Sequence, residues 1–277
     1  MTRRGRSSGG RSRSGGFRRS CGLEQSAARS ALRVTDAAGG DQALSVPAEP
    51  GPGASLRLAT WNCCRGPLDA KLRAAETLGA DVLVIQELPR PAGRVPFIWF
   101  PVRPSLGVAV IARNGFSARR ARLPRPLLGA HAVDVSGPVS FRLLAVWTRA
   151  EHRYVQSLAG DLDTLKASRS RRPVVLAGDF NSNSIWDRPG RPFDHGRLVR
   201  RLRDQLGVVS AYHAWHGVAH GAEPHATHYF LRKRERPYHL DYCFVPESWP
   251  IRGVSVGGEG AWAGLSDHRP VVVDLDV

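Results

Sequence analysis

Acids, amides and one histidine recur in this chain where apolar runs end or begin. In "PVVLAGDFNSN", residues 173–183, a β-branched run passes through Gly178 and delivers Asp179 and Asn181. "LATWN" ends in Asn62, "DVLVIQE" ends in Glu87, "HLDYCFV" opens close to Asp241, and "LSDHRPVVV" sets Asp267 and His268 before its run. Each site alone reads as turn chemistry, because Gly, Asp and Asn all close strands. Together they are a constellation, since strand exits and the entries of antiparallel neighbours lie along one sheet edge. Hard carboxylate oxygens without Cys–His clustering suit Mg²⁺, with Mn²⁺ as the alternative. Glu87 is the expected first ligand and Asp267 the second. Hydrolysis of a phosphodiester also needs a base to orient water, here Asp179, and donors to the phosphoryl oxygens, here His268 and Asn181. Asp241 against the imidazole would set its tautomer and raise its pKa.

These residues need strands and helices to place them. Strands are predicted over 56–61, 81–86, 107–112, 141–147, 173–178, 240–246 and 269–277. Leu68, Leu72, Ala75 and Leu78 repeat with helical spacing, as do Val155, Leu158, Leu162 and Leu165, and then Val199, Leu202 and Leu206. Gly79 and Gly207 follow as helix stops. Several strands are apolar throughout, as in sheets covered on both faces. The pattern predicts two packed sheets flanked by helices in one domain, 55–277.

Residues 1–54 differ in kind. They are rich in Arg, Gly, Ser and Pro without sustained periodicity, and are expected to be a disordered tail. Either the tail binds phosphate, or it is the product of a mis-assigned upstream start. It has no apolar core of a secretory signal. No apolar run approaches the roughly eighteen residues of a membrane span. The 277 residues carry a net charge of +16. Taking the nine Arg and four acids of 1–54 from the 40 basic and 24 acidic residues leaves 31 and 20, so the domain is about +11. Such a domain favours phosphate-bearing partners, although a GC-rich genome produces the same Arg bias. Four cysteines, two of them adjacent, make no disulfide framework or zinc spacing, which fits a reducing, cytoplasmic setting.

With "TWN", "QE", "GDFNSN", "THYF", "HLDYCF" and "SDHRP" in this order, the chain resembles the endonuclease/exonuclease/phosphatase superfamily over nearly all of 56–277. The resemblance implies a four-layered α/β sandwich, with two central mixed β-sheets flanked by helices and a divalent metal at their shared edge. It implies Glu87 as metal ligand with Asn62 adjoining. Asp179 would align the nucleophile and Asn181 the phosphate, with Asp267 and His268 closing the site and Asp241 paired to His268. The implied activity is metal-dependent phosphoester hydrolysis. Nucleic acid is the expected partner, a phosphorylated small molecule or lipid the alternative, and a monomer the expected state. A binding module with a decayed site is disfavoured by the intact acids.

Two positions depart from the family pattern. Some members carry an acid where this chain has Cys64. Where members supply a Tyr or His after the middle strand, this chain has Trp147, Thr148 and Arg149, with His152 further on. Either His152 reaches back into the site as the leaving-group acid, or, as favoured, the metal and His268 carry the leaving group while Arg149 holds the phosphate and His152 sits at a helix entry. Thr227 is placed at the site's edge, supporting it or touching substrate. In "HAWHGVAHGAEPHATHYF" the spacings of 3, 4, 5 and 3 pass through Gly, Pro and Ala, so no helical face collects the histidines and no second metal site is expected. Trp186, Trp215 and Trp262 are candidates to stack on bases, with core or rim packing as the alternative.

Overall fold

The computed structural model describes residues 53–168 and 171–277, so the expected tail lies almost wholly outside the described residues. From its start the chain forms β1 (Ser55–Asn62), α1 (Leu68–Glu76), β2 (Val82–Pro89), β3 (Ile98–Pro101), β4 (Leu106–Ala112), β5 (Ser117–Arg120), β6 (Ala130–Ser136) and β7 (Phe141–Trp147). It continues through α2 (Val155–Ala167), β8 (Val174–Asp179), α3 (His195–Leu206), β9 (Val208–Ser210), α4 (Ala211–His216), β10 (His228–Tyr229) and β11 (Pro237–Tyr238). The last elements are β12 (Asp241–Pro246), β13 (Ile251–Val256), α5 (Glu259–Trp262) and β14 (Val271–Asp276).

Two mixed six-stranded sheets result, ordered β13-β14-β1-β2-β4-β3 and β5-β6-β7-β8-β12-β9, with β10 and β11 as a small separate pair. Period-2 alternation explains why both faces of the central strands are apolar. Leu58, Val84 and Val110 of the first sheet meet Leu143, Val175 and Cys243 of the second in the inter-sheet core. The intervening Ala59, Trp61, Leu83 and Ile85 pack outward with Ala75, Leu78 and Trp262. Leu144, Val146 and Leu176 point the other way, onto Leu158 and Leu162 of α2 and Leu198 and Leu202 of α3. Burying a Leu or Val of this kind stabilises by about 1.5–3 kcal/mol. The layers are helix, sheet, sheet, helix: the expected α/β sandwich.

The seven expected strands and three expected helices all form, with ends shifted by a few residues. Helix α3 is bounded as its sequence dictates. The Asp194 side chain accepts from the Arg197 N–H at the N-cap, and Gly207 ends the helix in the left-handed region at φ 65°. Seven further strands escaped the sequence pattern. They are short, like β9 and β10, or half polar, like β5 ("SARR") and β13, and their pairing comes from neighbours rather than from their own periodicity.

Candidate active site

Strand direction brings the polar residues together. β1 and β2 run parallel with Asn62 opposite Gln86, so Glu87 leaves the same edge as Asn62. β12 runs antiparallel to β8 with Asp241 directly opposite Asp179. The sheets meet at the Asn62 amide, whose Nδ2 donates to Glu87 Oε1 at 3.4 Å and to Asp179 Oδ2 at 3.0 Å. Ser266 ties in the last segment. Its hydroxyl donates to the Asn62 carbonyl at 2.7 Å and accepts from the His268 N–H at 2.9 Å.

The glycine of "LAGD" is explained by packing rather than by a turn. A Cβ at Gly178 would lie 2.0 Å from the Val146 carbonyl oxygen of β7, and the backbone there holds φ at +151°. Only glycine fits beside its parallel neighbour. Left-handed backbone then clusters at the site: Glu87 (φ 55°), Asn181 (φ 45°) and Cys64 (φ 52°). Glu87 sits where the β2–β4 register shifts, and such a bulge re-aims a side chain out of the pleat. Strain of this sort costs about 1–3 kcal/mol per residue and collects at functional sites.

Asp179 is buried and fully held. Its Oδ1 accepts from the Asn181 N–H at 2.8 Å, and its Oδ2 accepts from the Asn181 and Asn62 amides at 2.8 and 3.0 Å. Burial, followed by the Asp241 carboxylate, pushes its pKa up, to about 7. His268 Nδ1 bonds Asp241 Oδ2 at 2.8 Å. Burial works against the charged imidazolium, but the Asp241 charge and hydrogen bond prevail, aided by Asp179 and Asp267, and raise His268 to about 9. Asp179, Asp241 and His268 lie close enough for an ion. Within that trio His268 Nδ1 is committed to Asp241 Oδ2, and Asp179 Oδ2 to the Asn62 and Asn181 amides. Glu87 and Asp267 instead line the cleft with their side chains 20% and 24% exposed. Open carboxylates beside an amide fit a hydrated hard cation, and the Asp241 Oδ1 atom is buried without a partner. Asp241→Asn is expected to lower the pH at which activity falls on the alkaline side, from near 9 toward neutrality. The imidazolium loses the charge that raises it, and a pH–kcat/KM profile reads the limb directly.

Two expected substrate contacts lie elsewhere. Arg149 does not line the cleft; its guanidinium sits 5.9 Å from the Trp147 ring centroid and its Nε is buried. Thr227 is fully buried, its hydroxyl accepting from the N–H groups of Leu240 and Asp241 at 2.9 and 3.0 Å, so it sets the start of β12. Asn181 also changes character. Its amide donates to Asp179 and, at 3.1 Å, to the Thr148 carbonyl, which uses both hydrogens and makes it a clamp on Asp179. Thr148 is buried, donating to the Phe180 carbonyl. His152 ends a 3-10 turn, as expected of a helix-entry residue, and faces a different cavity. The chain then passes Arg153, left-handed, and Tyr154, also at positive φ, which do line the cleft. Helical spacing from Val155 onward gave no sign of them, because the reversal of the chain before α2 turns them inward.

The cleft encloses about 690 Å³. Arg65, Arg153 and Arg191 line it together with Trp186, Phe193 and Phe230. Cys64 also lines it; burial, then a hydrogen bond with Asp267, raises its thiol pKa, which favours the neutral thiol. Of the three candidate tryptophans, Trp186 faces this cleft. Trp215 is exposed outside it, and Trp262 is buried edge-on against Trp61.

The family model for the Endonuclease/Exonuclease/phosphatase family matches residues 59–268. This chain belongs to that family. Solved structures of similar fold include a 3′ phosphatase from Neisseria bound to product DNA hairpin, with 21% identity, 80% of this chain and 100% of that chain covered, and a TM-score of 0.61. An AP endonuclease from Leishmania major shows 19% identity over 80% of this chain and 88% of that chain, with a TM-score of 0.59. The endonuclease domain of a telomere-specific non-LTR retrotransposon shows 19% identity over 80% and 98%, at 0.55. No curated protein matches the chain. Family membership accounts for the shared sandwich and for hydrolase chemistry. Among the described residues no helix is long and apolar enough to cross a membrane.

Proposed function

We propose that the protein is a Mg²⁺-dependent nuclease, acting as a cytoplasmic monomer on DNA or RNA, with Mn²⁺ able to replace Mg²⁺. Glu87 and Asp267 would hold the cation, which when bound supplies Lewis-acid neutralisation of phosphoryl charge. Asp179, raised toward neutrality and gripped by Asn62 and Asn181, takes a proton from the attacking water. His268, kept protonated by Asp241, donates through its other nitrogen to a phosphoryl oxygen as charge builds there. Thr227 and Asn181 are positioning residues. Arg65 and Arg153, rather than Arg149, meet the phosphate from the cleft wall.

The observation that carries the polymer reading is the cleft rim. Trp186 and Phe230 are exposed, Leu231 is 64% exposed, and the basic run "RKRER", residues 232–236, follows directly. Exposed aromatic faces beside guanidinium groups match a polyanion whose bases can stack, worth about 1–3 kcal/mol per base. The two similar structures described as nucleases support the same reading. Turnover against plasmid, single strands, abasic duplex, RNA and phosphoinositides tests it. Nucleic acid is expected to be cleaved; cleavage of phosphoinositides alone would replace it with the lipid-phosphatase alternative. Removing residues 1–52, which keeps Ala54 as acceptor for the Val277 N–H, is expected to weaken binding of long nucleic acid. It should also flatten the dependence on salt, by roughly one unit of log–log slope for each phosphate the segment neutralises. Equal slopes for both chains would assign the Arg-rich segment no role in binding.

A further inference from the structure

Beside the catalytic edge, the histidines that no helical face could gather are gathered by the fold. His213, on α4, and His220 and Glu223, on the loop after it, each offer one ligand atom, all within 4.8 Å of one another. The side chains of His213 and Glu223 are 8% and 4% exposed, and His213 is the ion-pair partner of Glu223 among the described residues, with no Lys or Arg against it. With His213 serving as a ligand rather than as a proton carrier, the buried carboxylate is left with charge for a cation to balance.

Each of the three is hydrogen-bonded to a further polar group, as ligands of a metal centre commonly are. His213 Nδ1 bonds the Ser210 hydroxyl at 2.7 Å, which turns Nε2 to Glu223 at 2.9 Å. His220 Nδ1 bonds His195 Nε2 at 3.0 Å, and His195 Nδ1 bonds the Ser182 hydroxyl at 2.9 Å. Glu223 Oε1 accepts from the Asn183 amide and the Gly221 N–H, both at 3.0 Å. Nearby, His239 is buried with no partner for Nε2, its ring centroid 5.9 Å from that of His213.

We infer that His213, His220 and Glu223 form a second metal site, for a first-row transition cation of the Zn²⁺ class. Two imidazoles and one carboxylate are a borderline-soft donor set, unlike the all-oxygen set at Glu87 and Asp267. The His213 and His220 rings stack with centroids 3.5 Å and planes 15° apart, so sharing one ion requires His220, the more exposed of the two, to rotate about its side-chain bonds. The ion would act as a brace. Asn183, which holds Glu223, follows Asp179 and Asn181 on the same loop, and also donates to the His239 carbonyl at 3.0 Å, two residues before Asp241. The Asn183 amide thus links the segments that deliver Asp179 and Asp241, and the carboxylate that would bind the ion accepts from that same amide.

Titration of the full chain with Co²⁺, read by its visible ligand-field absorption, tests the site. One tight equivalent is expected, displaced by Zn²⁺ but not by a large excess of Mg²⁺, and retained in Glu87→Gln. Glu223→Gln and His220→Phe, the latter keeping the ring stack, should each abolish the tight equivalent. Ser210→Ala should weaken it by about 10–100-fold through loss of the support behind His213. Circular dichroism on each variant separates loss of ligand from loss of fold, and His220→Phe, at a half-exposed loop position, decides the matter if Glu223→Gln unfolds. The site is overturned if no such absorption develops, if Mg²⁺ or Glu87→Gln removes it, or if His220→Phe in folded form binds Co²⁺ as the wild type does.

Discussion

Asp179→Asn is expected to lower kcat by about 10²–10⁴-fold, the usual contribution of a positioned general base, while KM and the melting temperature move little. The side chain keeps its shape but can no longer take a proton from water. The small stability change has its own physical basis. The wild-type carboxylate is buried opposite Asp241 in the β8–β12 pair, and its raised pKa records what its charge costs there. The amide removes that charge, which offsets the poorer match to the three N–H groups that converge on the wild-type oxygens. Steady-state kinetics beside a thermal melt measure both quantities. A loss below tenfold in a stable variant would mean that another group orients the water, and Asp267 would be the next to replace.

Chelation is expected to abolish turnover, with Mg²⁺ or Mn²⁺ restoring it. Glu87→Gln should raise the Mg²⁺ concentration needed for half-maximal rate by at least tenfold. Glu87 is held in the cleft by a strained backbone and by the Asn62 amide, with Arg65 Nε 3.7 Å from its other oxygen. A neutral amide at this position keeps the hydrogen-bonding shape but loses the charge that draws a divalent ion out of water. The rate is followed against free Mg²⁺ in both proteins. Full activity after exhaustive chelation would remove the metal from the mechanism and leave His268 and the cleft arginines to neutralise the phosphate.

What the sequence determined by itself was the frame and the residue types on its edge. Apolar runs of β1, β2, β4, β7, β8, β12 and β14 are long enough, and apolar on enough positions, to be strands whatever surrounds them. The helical spacings around Leu72, Leu162 and Leu202 are equally local. Because each acid or amide adjoins such a run, its place at a strand end followed from the chain alone. Short or polar strands such as β5 and β9 did not, since their stability comes from hydrogen bonds to neighbours that only the fold supplies. Tertiary structure also decided which way side chains face beyond the strand ends. Arg149 and Thr227 stand within a few residues of the site and still miss the cleft, Arg149 toward Trp147 and Thr227 beneath β12. Arg153 and Tyr154 enter it through a positive-φ reversal that no periodicity encodes. The histidines of 213–228 show the same limit most clearly. Helical spacing argued against any shared face, yet α4, the following loop and α3 fold three elements together and place His213, His220 and His195 in contact. Spacing reports neighbours only along one regular element, whereas contacts between elements are set by how the whole core packs.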